Sequence, residues 1–451
     1  MHFGLEFFTI AICYAAFLVA IFLTIFWKPV AGLFYLIPII PQQTMRYRMD
    51  QYPFGANVII LTLIAIAVGL KLRDRPIFDK LPWRGLLLAH IIFLSISACL
   101  GSLYLNVPLP FMPSDPRFNE WKAYVIMPWM AFLAAAAVTN LKDLKIALVL
   151  ICLGILLTDK AAWEAVSGRD YSSYSDELRD PGPMGYAGSN GLGAFLAQSA
   201  VFMVAMAAYA PTRSWKLPAY ALALFSLICL LFSLSRGGYL AFAVGFLFVS
   251  LACQRKLLIM TVLFATSWLA FVPEAVIERV GMTTGETGEL DHSSETRVNL
   301  WEDAFTLIES NPLTGTGYLT YAYMGRVGDY KDTHNIYIKV LVETGWIGLA
   351  MFLTLIFRFI WTGLRLFATS IDPVLAGLGM GLAGWVICSA VANFFGDRWN
   401  YFQVNGYMWV LAGLTAKALE LLDEMDAQEL ELESESEDAQ STESEPSEVL
   451  A

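Results

Sequence analysis

The chain has 451 residues, of which 57% are hydrophobic and 15% charged, with a mean hydropathy of +0.57. That composition excludes a soluble globular domain of this size. Its apolar runs match the thickness of a bilayer core, roughly 17 to 25 residues for a helix. The alternating pattern of a membrane barrel is absent. The sequence therefore predicts an all-α protein, a polytopic bundle of about 12 membrane spans. The formal net charge of −11 misleads, because the segment after residue 419 holds thirteen acids and no Lys or Arg; without those acids the balance is +2. Residues 1–417 form the predicted membrane domain. Residues 418–451 are low-complexity, acidic and Ser-rich, and predict a disordered tail.

In chain order, the first apolar run covers 6–27. It has no basic segment before it and no small-residue cleavage site after it, so it reads as a retained span. The run 30–41 is too short to span untilted and predicts a half-helix or re-entrant piece. Further spans are predicted at 56–72, 85–104, 121–139, 144–162, 191–209, 217–234, 238–253 and 257–272. The last three are 346–367, 374–395 and 401–416. Six cysteines lie in or beside these runs without metal or redox spacing and read as small hydrophobes.

Lys and Arg in short loops set orientation. One side carries Lys71, Arg73, Arg75, Lys80 and Arg84, then Lys142 and Lys145, Arg213 and Lys216, Arg255 and Lys256. That side is predicted to be cytoplasmic, together with the C-terminus. The opposite side receives the longer loops, above all 273–335, which contains a helical pattern over 297–310. A loop of that length with its own helix is more often functional than filler.

Arginines on the outer side run against the charge rule. Arg236 lies in Ser-Arg-Gly-Gly, Arg179 just before the span near 191, Arg297 at the start of the loop helix, and Arg398 in Gly-Asp-Arg-Trp-Asn. A guanidinium fork at this level suits bidentate binding of phosphate, and flanking glycines let backbone approach the ligand. Arg236 has no adjacent acid. Arg179 has Glu177 and Asp180 beside it, and Glu295 and Asp397 near Arg297 and Arg398 favour salt bridging there. Of four histidines, His334 alone sits where a long polar loop meets a span. It suits a general base or a cation beside a leaving group, and the alternative is an interfacial or capping histidine. Asp329 and Asp332 make at most a weak metal site. Trp301, Tyr318, Tyr321, Tyr323, Tyr337 and Trp346 supply faces for stacking on sugar rings or for interfacial anchoring.

These residues carry a resemblance. His334-Asn335, then nine residues, then Gly345-Trp346-Ile347-Gly348 resembles the pattern of the O-antigen ligase and O-antigen polymerase (Wzy-type) superfamily. Ser235-Arg236-Gly237 opening a span is a second matching feature. The run from Arg297 through Trp301 to Asn311-Pro312-Leu313 and Gly315-Thr316-Gly317 is a third. The resemblance covers about 180–413. It implies an inverting, GT-C-like glycosyltransferase in the bacterial inner membrane, acting on the periplasmic face without cofactor, metal or nucleotide sugar. The implied donor is a glycan on undecaprenyl diphosphate. The implied acceptor is a glycan, a lipid A core or a protein hydroxyl, and no nucleic acid is involved. By the same resemblance His334 is the catalytic group, Arg236 and Arg179 hold the diphosphate, and Asn335, Gly345, Gly348 and Arg297 support them. The competing expectation is a transporter or flippase for lipid-linked glycans. That would favour internal repeats and mid-span charges, whereas no clear repeat is visible and the charges cluster at span ends.

Overall fold

The computed structural model describes residues 5–78, 81–179, 188–253, 258–259, 272–282, 292–326 and 332–443. Among these residues all regular structure is helical. The amino-terminal part comprises α1 (Leu5–Phe26), α2 (Val30–Ile39), α3 (Gln43–Arg48), α4 (Val58–Lys71), α5 (Arg84–Tyr104), α6 (Pro116–Ala137) and α7 (Leu141–Val166). Next come α8 (Gly188–Ala208), α9 (Arg213–Phe232), α10 (Arg236–Cys253), α11 (Glu274–Gly281), α12 (His292–Ser310) and α13 (Tyr321–Met324). The chain ends with α14 (Ile336–Thr369), α15 (Pro373–Phe394) and α16 (Phe402–Glu443).

Seven described helices are long and apolar enough to cross a membrane: α1, α5, α8, α9, α10, α14 and α15. The 30–41 run forms a helix of 10 residues, too short to span. The span expected at 257–272 lies outside the described residues except at Leu258, Ile259 and Val272. The acidic segment is helical as far as Glu443, although its composition predicts solvated chain. Glu, Leu, Ala and Gln are strong helix formers, and they prolong a helix already nucleated in the bundle. Residues 423–429 are exposed, so that stretch is helix without a core.

α8 and α15 occupy the centre, because both are apolar and small-residued on every side and therefore buried all round. Glycines set how closely their neighbours approach. A Cβ on Gly363 of α14 would lie 2.5 Å from the Gly379 carbonyl oxygen of α15, and one on Gly379 would lie 2.5 Å from that of Gly363. On the far side of α15, a Cβ on Gly245 of α10 would meet Cys388 Sγ at 2.2 Å. α1 and α9 lie at the periphery and turn apolar side chains such as Phe22 and Leu224 outward.

The expected span over 346–367 is the second part of α14, which breaks at Gly345 (φ 63°, ψ −168°). The break strands backbone groups in an apolar setting, and the Asn311–Gly317 turn satisfies them. Thr316 N donates to Val342 O and Gly317 N to Glu343 O, both at 2.9 Å. In return Trp346 N donates to Pro312 O at 2.9 Å and Ile347 N to Leu313 O at 3.3 Å. Any side chain at 345 would strike the turn, since a Cβ there would lie 2.3 Å from Leu313 O. Gly348 serves the same bend: its Cβ would overlap Thr344 Oγ1 at 1.9 Å. The Gly-x-x-Gly element is thus a docking joint for the Asn-Pro-Leu-Thr-Gly-Thr-Gly turn.

Gly345→Ala is expected to destabilise the fold. The backbone at φ 63°, ψ −168° is essentially reserved for glycine and alone costs about 1–3 kcal/mol for a residue with a Cβ, and displacement of the turn adds to it. Gly85→Ala, at a helical site with no atom within 4 Å, should leave the thermal midpoint in detergent unchanged or slightly raised. Equal midpoints for the two variants would refute this account of the joint.

Candidate functional site

A cavity of about 260 Å³ lies where α8 and α10 begin. Five arginines from five segments line it: Arg179 before α8, Arg236 opening α10, Arg279 of α11, Arg297 of α12 and Arg398 between α15 and α16. Among its described lining residues there is no carboxylate. Ser235 caps α10, its Oγ accepting from Gly238 N at 3.2 Å and donating to Asn190 Oδ1 of α8 at 3.0 Å. The cap joins the two helix starts and directs Arg236 at the cavity. Gly238 allows the approach, since a Cβ there would lie 3.0 Å from the Gly193 backbone of α8. Two helix N-termini add their partial positive charge to the guanidinium groups.

Arg179 donates to Ser189 Oγ at 3.3 Å, while its Nε, like that of Arg398, is buried with no hydrogen-bond partner among the described residues. Buried donors of this kind are costly unless a ligand or water meets them. Burial pulls the Arg398 guanidinium below its ordinary range, opposed by Tyr401, Asp332 and Asp397. It remains charged all the same, as arginine does in proteins. The Arg398 side chain folds back over Gly396, where a Cβ would lie 1.6 Å from Nη1. The acid next in sequence, Asp397, is paired with Lys339 of α14.

His334 lies at the start of α14 in a left-handed conformation (φ 50°), uncommon for a residue with a side chain. Asp332 holds it there. The Asp332 Oδ1 accepts from His334 N at 2.7 Å and lies 2.9 Å from His334 Nδ1. Burial alone would raise the Asp332 carboxyl, but the hydrogen bonds and charge of His334 more than offset it and hold it below its ordinary value. A proton on Nδ1 facing this carboxylate makes Nε2 the acceptor nitrogen of the neutral ring. Asn335 caps α14, its Oδ1 accepting from Tyr337 N at 2.9 Å and Ile338 N at 3.3 Å.

The histidine and the arginine cavity share one end of the bundle. Ile336 N donates to Gly396 O at 3.1 Å, tying the start of α14 to the turn that carries Arg398. Trp301 Nε1, four residues beyond Arg297 on α12, donates to Thr333 O at 2.9 Å. Arg398 is also within electrostatic range of Asp332. An imidazole held by a carboxylate therefore stands near a cavity lined by five arginines.

Residues 221–353 match the family model described as O-antigen ligase. That segment, under a third of the chain, is similar to the O-antigen ligase domain. No curated protein matches it significantly. At a coarse level the ligase domain indicates glycan transfer or ligation by a multi-pass protein of the inner membrane.

The matched ligase segment contains Arg236, Arg279, Arg297, His334, Asn335, Gly345 and Gly348, while Arg179 and Arg398 lie outside it. Arg236, Arg179 and Arg297 meet at the cavity; His334 and Asn335 lie next to it; Gly345 and Gly348 form the joint in α14. Sequence reasoning overlooked Arg279, whose only cue was one more arginine in an outer loop. It also favoured a salt bridge for Arg398, whereas Asp397 turns to Lys339 instead. Asp332 was read as a weak metal position and supports His334. Its expected companion Asp329 lies outside the described residues. Tyr318 and Tyr321 are buried, whereas Tyr323 and Trp346 are exposed at 39% and 55% and keep a surface available for stacking or anchoring.

Gly396→Ala is expected to expel the Arg398 guanidinium from its slot and weaken pyrophosphate binding by about tenfold, the scale of one charge-assisted hydrogen bond. Calorimetric titration of the purified protein checks this. Unchanged affinity would show that the slot does not position Arg398 for the anion.

Proposed function

We propose that the protein transfers or polymerises a glycan from an undecaprenyl-diphosphate-linked donor onto an acceptor hydroxyl at the periplasmic membrane face. The observation that carries this reading is the five-arginine cavity beside the Asp332–His334 pair in a chain with a ligase domain. The acceptor is a glycan, a lipid A core or a protein hydroxyl. The distribution of Lys and Arg in the short loops supports a periplasmic site and a cytoplasmic C-terminus.

In this reading His334 Nε2 takes the proton from the acceptor hydroxyl as its oxygen attacks the anomeric carbon. The bond from that carbon to the diphosphate oxygen breaks, and its electron pair leaves with the lipid diphosphate. Arg236 and Arg179, joined by Arg279, Arg297 and Arg398, stabilise the charge that develops there. Asp332 steadies the imidazolium until the proton is released. Fixed guanidinium groups act before the reaction begins, so they need no rearrangement as the bond breaks.

The deciding experiment is reconstitution with a lipid-linked glycan and candidate acceptors, followed by identification of the product. His334→Ala should abolish transfer while the protein still inserts and binds donor; a full-length glycan ladder from that variant would remove His334 from the chemistry. Arg236→Lys should lower activity at least tenfold, because a point charge does not reproduce the bidentate fork. A neutral result there would remove the diphosphate assignment of Arg236.

A further inference from the structure

Asp397 and Arg398 are adjacent in sequence, and a buried carboxylate beside a buried guanidinium would ordinarily pair with it. In the structure they face different partners. The Asp397 Oδ2 is engaged by Lys339 Nζ, with only 11% of the lysine and 8% of the aspartate side chain exposed. Lys339 projects from α14 one turn after Asn335 and also lies near Glu343, one turn further along the same helix. The backbone of the Arg398 turn is held by other groups. Arg398 N donates to Asn393 Oδ1 at 2.8 Å, and Asn405 Nδ2 donates to Arg398 O at 3.0 Å and to Trp399 O at 3.3 Å. With Ile336 N on Gly396 O, these bonds fix the turn without help from any charge. The ion pair is left to decide which way the acid faces.

We propose that Lys339 is a positioning residue for the anion site: by holding the Asp397 carboxylate it keeps that acid off Arg398 and leaves the guanidinium to the cavity. The proposal rests on the reading that this cavity takes a diphosphate. A carboxylate stripped of its counter-ion in a buried setting turns to the nearest cation. Arg398, the next residue and within electrostatic range of Asp397, is such a cation. Such a pairing would silence one of the five cavity arginines and place a negative charge at the cavity wall. Lys339 thus acts by keeping the Asp397 carboxylate from bonding to Arg398, on which it acts only at longer range, rather than by touching substrate.

The test compares full-length Lys339→Met, Lys339→Arg and the double variant Lys339→Met/Asp397→Asn with wild type, each purified as a monodisperse membrane protein. Two readouts are used. Phenylglyoxal labelling of Arg398, followed by mass spectrometry, reports whether the guanidinium is available and needs no substrate. Calorimetric titration with pyrophosphate, and donor KM against kcat, report its use. Lys339→Met should slow Arg398 labelling several-fold and weaken pyrophosphate binding by about tenfold, raising KM more than it lowers kcat. Removing the released acid in the double variant should restore both labelling and affinity, and Lys339→Arg should retain them. A role in folding alone would loosen the site and speed Arg398 labelling rather than slow it, so the direction of the labelling change separates the two. The proposal is overturned if Lys339→Met labels and binds like wild type, or if the double variant is no better than the single one. Wild-type protein that binds neither pyrophosphate nor lipid diphosphate would remove the diphosphate reading, while the labelling arm would still decide whether Lys339 shields Arg398.

Discussion

A helix interrupted inside an apolar bundle must find partners for the backbone groups it exposes, and that requirement organises this structure. Water is scarce at such depth, and each unmet amide or carbonyl is costly. α14 breaks at Gly345 and is repaired by the 312–317 turn through four backbone hydrogen bonds. The repair fixes the direction of the segment 336–344. That segment in turn sets where Asn335 caps, where His334 stands and where Lys339 reaches Asp397. Two sequence elements that look unrelated, an Asn-Pro-Leu-Thr-Gly-Thr-Gly run and a Gly-x-x-Gly pair, are halves of one contact.

The second theme is the separation of charge. The cavity gathers cations from five segments, and two acids near it are engaged by other cations or by the histidine. Asp397 faces Lys339, and Asp332 faces His334. Helix starts, glycine contacts and a serine cap hold the arrangement.

Much of this was legible in the sequence. Apolar runs gave the helical membrane class, and the Ser-Arg-Gly-Gly and His-Asn positions pointed to one end of the bundle. Helix limits moved by only a few residues where hydropathy was the guide, as at 191–209 against Gly188–Ala208. What sequence did not convey was pairing over long separations. Lys339 and Asp397 lie 58 residues apart, and nothing local distinguishes their meeting from an Asp397–Arg398 bridge. Arg279 was invisible because its position depends on the docking of α11 rather than on a motif. The role of Asp332 depends on the left-handed turn at His334, which no periodicity encodes. The acidic end illustrates another limit: composition describes solvation well, whereas helix continuation depends on the residues that precede it.

That continuation has a geometric consequence. A helix of 42 residues extends about 63 Å at 1.5 Å per residue, roughly twice the hydrocarbon thickness of a bilayer. Its first half is anchored among the other helices, and the remainder is an acidic extension of the same helix. A protein fused beyond it would be held away from the bundle, so a reporter attached there is spaced from the helices that pack the core.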